Sequence, residues 1–325
     1  MKNIDRIGLY IYISNIEVWE GESVKRPKPI YVQTKMETSM EELWEYTQDP
    51  MLHTEWDARF TEISYLEKQE NEPQRFLYKT KIGFGLEIAG EGESIGELRK
   101  ETGERVSSLK FWTDSKLSLI KVGRGYWRYT LNGEKICFET QYDYEARFGC
   151  VGRMVDSYIF RPLLGWATAW SFDALKLWLE KGLHPRLLIR KSIIHCLVCL
   201  ILSFVWIYQG FVPKILFTHP EEMRMLSVLI GSNENGILAL KIIGFLEIGF
   251  GITWLLPFQK QKLLLLHIII LIGLTIAAGF TNILSFIQPF NPITLNLILI
   301  GLSAIGYINS DDLPRAKNCK RKRKG

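Results

Sequence analysis

The pattern of apolar and polar positions changes character along the chain. From Ile30 to Glu37 the two alternate, as in a strand with one face in a core. Thr38-Ser39-Met40-Glu41-Glu42 follows as a cap and acidic first turn, predicting a short helix through Tyr46. Asp49-Pro50 breaks it, and Met51 to Trp56 predicts a second helical piece. A run of strands comes next. Phe76, Tyr78, Thr80 and Ile82 share one face, Ser107, Leu109 and Phe111 another, and Trp127, Tyr129 and Leu131 a third. Ile136, Phe138, Thr140, Tyr142 and Tyr144 then alternate with Cys137, Glu139, Gln141, Asp143 and Glu145. Gly83 to Gly85, Gly90 to Gly92 and Asn132-Gly133 read as turns, the last as a tight hairpin. The expected product is a curved antiparallel sheet. It is closed by a long apolar helix, Met154 to Lys181, kinked at Arg161-Pro162 and ended by Gly182.

That helix is apolar on more than one side. Ile159, Leu163, Trp166 and Trp170 follow one line, and Phe172, Leu175 and Leu179 another. One side covers the sheet, and the other calls for a second contact, expected to be lipid or the helical region that follows.

Beyond residue 184 the period disappears into continuous apolar runs. Four are long enough for a hydrocarbon core, at about 193–212, 237–256, 263–284 and 292–308. Arg186, Arg190 and Lys191 precede the first, Lys260 and Lys262 separate the second and third, and the basic tail follows the fourth. Only Lys214 and Arg224 fall on the opposite side. The positive-inside rule then puts both termini in the cytoplasm of a multi-pass cell-membrane protein.

Charge sharpens the division. Residues 185–325 carry 15 Lys+Arg and 6 Asp+Glu, a net +9, leaving −4 for residues 1–184 of the total +5. A 47% hydrophobic content is therefore an average of two unlike halves. A purely soluble chain, a disordered chain and a folded nucleic-acid binder are all excluded. Lys320-Arg-Lys-Arg-Lys324, directly behind a span, reads as a topology anchor held near anionic lipid. Met1 to Glu20 has no small-residue cleavage site and is not read as a signal peptide. The resulting division is an N-terminal extension over 1–27, a soluble domain over 28–184, a membrane domain over 185–310 and a basic tail over 311–325.

Five cysteines at irregular spacings imply no disulfide framework. Cys196-Leu-Val-Cys199 has a redox spacing but sits inside an apolar helix, where small core residues are the simpler reading. Glu247 lies near the middle of the second span and must be protonated, paired or facing a wet cavity, with Lys241, His195, His267, Asn282 and Asn296 as candidate partners. A proton or quinone contact and a structural interhelical bond both remain open for it. Lys241, one turn from the span's outer end, reads as snorkelling.

Tyr208-Gln-Gly210-Phe-Val-Pro-Lys214, Lys241-Ile-Ile-Gly244-Phe-Leu-Glu247 and Phe290-Asn-Pro292 together resemble the DoxX-like family of four-helix membrane proteins, over about residues 186–309. The resemblance implies a fold, with Gly210, Lys214 and Glu247 as matched positions. Some relatives of that broad family are subunits of quinone-linked oxidoreductases.

Strand, two short helices, antiparallel strands and a long closing helix is the order of the α+β helix-grip fold. With Trp44, Asp49-Pro50-x-x-His53-x-x-Trp56-Asp57 and Arg161-Pro-Leu-Leu-Gly165-Trp-Ala-Thr168-Ala-Trp170, residues 28–182 resemble the START-like, polyketide-cyclase-like (SRPBCC) superfamily. The resemblance implies an apolar pocket between sheet and helix. Candidate lining residues are Trp56, Phe76, Tyr78, Phe138, Tyr142, Trp166 and Trp170, although a packed core needs the same residue types. His53 and Trp56 are candidates to line an entrance, although a lone loop histidine is more often a surface hydrogen-bonder.

No metal cluster, nucleophile elbow, phosphate loop or dinucleotide fingerprint is present, and quinone is the one cofactor to consider. The expectation is a membrane protein whose cytosolic domain binds a small hydrophobic, lipid-like ligand. Its partners would be membrane lipid and that ligand, not nucleic acid, with a homo-oligomer compatible. The alternative is a membrane subunit of a quinone-linked oxidoreductase using Glu247.

Overall fold

Seven strands form one antiparallel sheet among the residues described by the computed structural model, 27–68, 72–83, 85–230, 235–281, 283–287, 289 and 291–323. The expected N-terminal extension lies outside them except for Pro27, as do Asn282, Phe290 and Lys324. Strand β1 (Ile30–Met36) leads into helix α1 (Met40–Gln48), capped by Ser39 Oγ, which accepts from the Glu42 N–H. Asp49 ends α1 and starts α2 (Pro50–Trp56). Its N–H donates to the Glu45 carbonyl while its carboxylate accepts from the N–H groups of Met51 and Leu52. Pro50 takes the first helical position, where a missing N–H costs nothing.

The strands that follow are β2 (Glu62–Tyr65), β3 (Arg75–Gly83), β4 (Leu86–Arg99), β5 (Arg105–Trp112), β6 (Ile120–Asn132) and β7 (Lys135–Ala146). Their spatial order is β1-β7-β6-β5-β4-β3-β2. The β6–β7 hairpin turns at Gly133, whose φ of +66° suits glycine. Gly90 and Gly92 are not a turn. They lie inside β4, directly opposite Tyr78 and Phe76 of β3. A Cβ on either would fall 2.3 Å from the facing ring, so these positions hold glycine to let aromatic rings lie across the sheet.

The closing helix starts earlier than the sequence suggests. Helix α3 (Gly149–Val155) passes through a π-helical turn (Asp156–Phe160) into α4 (Arg161–Lys181). The irregularity precedes Pro162, which has no N–H to donate backward. Arg161 pins the turn. It donates to Asp156 at 2.9 Å and Asp143 at 2.7 Å, while the Tyr144 hydroxyl donates to Asp156. Gly182, with φ +67°, ends α4. Val32, Met36, Leu43, Tyr129, Phe138 and Phe172 form the centre of the domain's packed core.

The chain divides into two units, one reaching Leu187 and including the segment from Pro314, the other running from Leu188 to Leu313. The tail is thus built into the first unit and is not a free extension. Gln33 and Lys320 form an antiparallel bridge, Asp173 accepts from the Arg315 N–H and Asn318 Nδ2, and Ala316 and Cys319 are buried in the core.

The second unit begins in the first turn of α5 (Pro185–Gln209, extended by a π-helical segment Gly210–Leu216) and continues through α6 (Pro220–Ile230), α7 (Asn235–Thr253), α8 (Gln261–Thr281) and α9 (Pro292–Ile308). Residues Pro185–Leu216, Gly236–Thr253 and Gln261–Phe280 are long and apolar enough to cross a membrane, and α9 is a shorter apolar helix. Two expected spans overran their helices. The second stops at Thr253, ahead of Pro257, and the third at Thr281, followed by a 3-10 turn at Ile283–Ile287.

Candidate functional site

Between the sheet and α4 the helix-grip domain encloses a cavity of about 590 Å³. That volume is within the ~300–1,000 Å³ range of small-molecule sites. Its walls are mainly apolar, with Phe76 and Tyr78 from β3, Leu109 and Phe111 from β5, and Leu163 and Leu164 from α4. The glycine pattern keeps it open. Phe76 and Tyr78 lie over Gly92 and Gly90, and Phe111 lies over Gly123, where a Cβ would fall 2.2 Å from its ring. Rings laid flat on the sheet leave the space above them empty.

Arg59 and His53 border the cavity, and a buried carboxylate lies behind them. Asp57, fully buried just past the end of α2, accepts from Arg59 Nε at 2.8 Å and Nη2 at 2.6 Å, and lies 3.1 Å from His53 Nε2. His53 stacks on Trp56 and meets Phe60 and Trp127 edge-on. It therefore borders the cavity and is not a surface hydrogen-bonder, because α2 ends one turn later and sets the buried Asp57 carboxylate against its Nε2. The Arg59 guanidinium lies 5.5 Å from the Tyr142 ring centre, and the Tyr142 hydroxyl pairs with Thr168 of α4 at 2.8 Å.

Burial opposes ionisation of Asp57, but the Arg59 charge and the hydrogen bonds from Arg59 and His53 outweigh it and hold the carboxyl well below its usual range. Burial also disfavours charge on Arg59, and the Asp57 carboxylate overrides it and raises that pKa. Burial pushes Tyr78 up to about 12 and raises Tyr129 and Tyr142 as well. Each of these groups keeps its ordinary charge at neutral pH. The cavity therefore offers fixed donors and a balanced charge pair, an arrangement suited to orienting a ligand.

Of the residues singled out from sequence, Phe76, Tyr78 and Tyr142 line the cavity. Trp56 and Phe138 are fully buried in the packed core beside it. Trp166 is exposed and, like Trp170, is not among the lining residues. Arg59 also lines the cavity, with Asp57 buried behind it. Asp57 closes the segment that includes His53 and Trp56, so the usable signal was an acid and a base flanking a helix end. Among the described residues no three metal-ligating side chains come together.

The helical unit has its own buried charge. Lys214 Nζ lies 3.0 Å from Glu247 Oε2 and 3.4 Å from Glu222 Oε1. Glu247 is thus paired, and by a residue outside the set of partners considered for it. Gly210 and Gly244 explain the approach. A Cβ on Gly210 would fall 2.4 Å from the Gly244 carbonyl oxygen, and one on Gly244 would fall 2.7 Å from that of Gly210. Only two glycines allow the backbones this close, and the contact sets Lys214 beside Glu247. Lys241 is exposed, His195 sits beside Ser310 and Cys199, and Asn296 donates to Thr275. Cys196 and Cys199 are free thiols, one exposed and one buried.

The DoxX-like family matches residues 203–304. Similar solved structures include a STAR-related lipid transfer protein fragment from Xanthomonas axonopodis, with a TM-score of 0.33 at 9% identity, over 42% of this chain and 83% of that one. A START superfamily protein from Mycobacterium smegmatis has a TM-score of 0.35 at 12% identity, over 48% and 99%. The membrane protein YndG of Bacillus subtilis (strain 168), described as uncharacterized, is 44% identical over 301 residues, covering 92% of this chain and 99% of that protein. With that identity along nearly the whole length, the chain belongs to the same family of membrane proteins as YndG.

Proposed function

We propose that the helix-grip domain is a receptor for a small, mainly apolar molecule, which it holds beneath α4 with a polar group against the Arg59–Tyr142 end. The observation that carries this reading is the roughly 590 Å³ cavity, mainly apolar in its lining and bordered by Arg59 and Tyr142. The test is native mass spectrometry of the full chain purified in detergent. One apolar molecule should accompany each chain and be lost in Ala167→Trp, which fills the cavity from α4. A wild-type chain free of any bound molecule, in a cavity that also takes up no added fatty acid or isoprenoid, would overturn it.

The domain and the tail would lie on the cytoplasmic side. Support comes from the tail's place in the domain. Arg315 and Lys320, which follow the last helix, bond to Asp173 and Gln33, which precede the first. Both flanks of the helical unit then share one compartment, so the chain crosses an even number of times. The fourth crossing falls to α9, whose seventeen residues give about 25 Å at 1.5 Å per residue, the short end of what spans. The Lys and Arg flanks indicate which compartment. An impermeant maleimide should label the exposed Cys150 in inverted vesicles and not in intact cells. The reverse would refute the orientation. Pairing of Glu247 with Lys214 lends nothing to the quinone-linked alternative.

A further inference from the structure

The outer side of the closing helix is apolar and uncovered. Val151, Met154, Tyr158, Ile159, Leu163 and Trp166 follow one another along α3, the π-helical turn and α4, stepping by three or four residues except across the turn, where Tyr158 and Ile159 are adjacent, and their exposures run from 48% to 80%. An apolar stripe this continuous on the outside of a domain calls for a partner.

A band of positive charge runs beside it. Between Pro314 and Arg323 the tail has no acidic residue, and Lys317, Lys320, Arg321, Lys322 and Arg323 are all exposed. Its course is fixed. Arg315 is held at Asp173 of α4, Cys319 donates to the Ala169 carbonyl, and Arg321 Nη2 donates to the Pro162 carbonyl at 3.1 Å. The tail thus follows α4 from Asp173 to Pro162, about 16 Å at 1.5 Å per residue, and brings Arg321 beside the stripe with Lys320, Lys322 and Arg323 as its neighbours in the chain. Lys28, Arg161, Pro162 and Arg321 surround a depression of about 440 Å³ there.

We infer that this composite face, stripe and docked tail together, is where the helix-grip domain lies on an anionic bilayer. A bilayer matches both parts, with anionic headgroups for the cations and hydrocarbon for the stripe. A second copy of the chain related by a twofold would instead oppose the same cations to one another. The apolar helices keep a bilayer within reach, since only Gly182, Leu183 and His184 separate α4 from α5. Leu163 belongs to the stripe and also lines the cavity, so docking would bring the edge of that cavity to the lipid. The docking itself does not depend on the cavity having a ligand.

The test uses the full chain in nanodiscs of phosphatidylcholine, with or without phosphatidylglycerol, and a spin label at Tyr158→Cys in a C150S/C196S background. In phosphatidylglycerol discs the label should lose accessibility to a water-soluble nickel relaxant and gain it to oxygen. Removing the anionic lipid, or introducing K317Q/K320Q/K322Q, should return the label to water. A label open to the nickel reagent in anionic discs would overturn the inference. So would a label shielded equally in both discs, because the cover would then be the chain's own helices or another copy.

Discussion

Trp206 on α5 donates its indole N–H to Nε2 of His267 on α8 at 2.9 Å, and this bond decides where the imidazole keeps its proton. A nitrogen that accepts carries no hydrogen, so the ring is the neutral Nδ1–H tautomer. Nδ1 then donates to Ser303 Oγ on α9 at 2.8 Å, and Ser303 donates to the Leu299 carbonyl at 2.7 Å. Three helices are joined by one chain of bonds running in a single direction, inside an apolar shell that includes Phe250 and Trp254. His267 is a tie between helices and not a partner of Glu247.

Trp206→Phe should keep the packing and leave Nε2 without a donor. The expected loss is about 1–3 kcal/mol, read as a lower Tm in detergent. Ser303→Ala should act similarly by orphaning Nδ1–H. The double variant should lose less than the sum, because both changes break the same chain. Unchanged melting of Trp206→Phe would show that the tie contributes nothing.

The ion pair in the same unit should respond asymmetrically. Lys214→Met strands Glu247 and should cost about 3–5 kcal/mol. Glu247→Gln should cost less, because Glu222 remains 3.4 Å from the ammonium. Replacing both, as K214M/E247L, should recover much of the loss, since two apolar side chains need no pairing. Equal costs for the two single changes in chemical unfolding would rule out Glu222 as the reserve partner.

Which features could be read from sequence follows from the range of the interactions that cause them. Ser39, Asp49, Asn132-Gly133 and Gly182 act within a few residues, and each sits where its local rule puts it. Gly90 and Gly92 read as a turn because their role depends on the register with Phe76 and Tyr78, which a single strand does not display. Phe138 and Tyr142 share one face of β7, yet one is packed against Phe172 and the other borders the cavity. Alternation reports the face of a strand and not the position along a curved sheet. Lys214 and Glu247 are joined by a helix crossing, and the tail's basic composition hid the small apolar pair, Ala316 and Cys319, that docks it.

The Asp57 carboxylate should make the domain acid-sensitive. Its pKa is depressed in the folded state, so its contribution is complete above the unfolded value of about 4 and is lost as pH falls below it. Asp57→Asn leaves buried Arg59 without its counter-charge and should cost about 3–5 kcal/mol at pH 7. The variant should then lose less than wild type between pH 5 and pH 2, with stability followed by urea unfolding and near-ultraviolet circular dichroism. Parallel acid limbs for the two proteins would count against the assignment.

Cys319 offers a direct report of tail docking. Burial, with the nearby Asp173 charge adding to it, pushes this thiol up to about 12, whereas Cys150 is exposed on α3. Because the thiolate is the reactive form and the buried sulfur is also out of reach, maleimide at pH 8 should modify Cys150 and leave Cys319 untouched in the folded chain. Asp173→Ala removes the acceptor for both the Arg315 N–H and Asn318 Nδ2. It should release the tail, expose Cys319 to reagent, and speed hydrogen exchange at the Gln33 N–H, which now bonds to the Lys320 carbonyl at 2.9 Å. The two readouts lie on different segments and should change together, because one docked strand protects both. Faster labelling with Gln33 still protected would mean that Cys319 opens locally while the tail stays in place, and rapid labelling of Cys319 in the wild-type chain would refute the docking altogether.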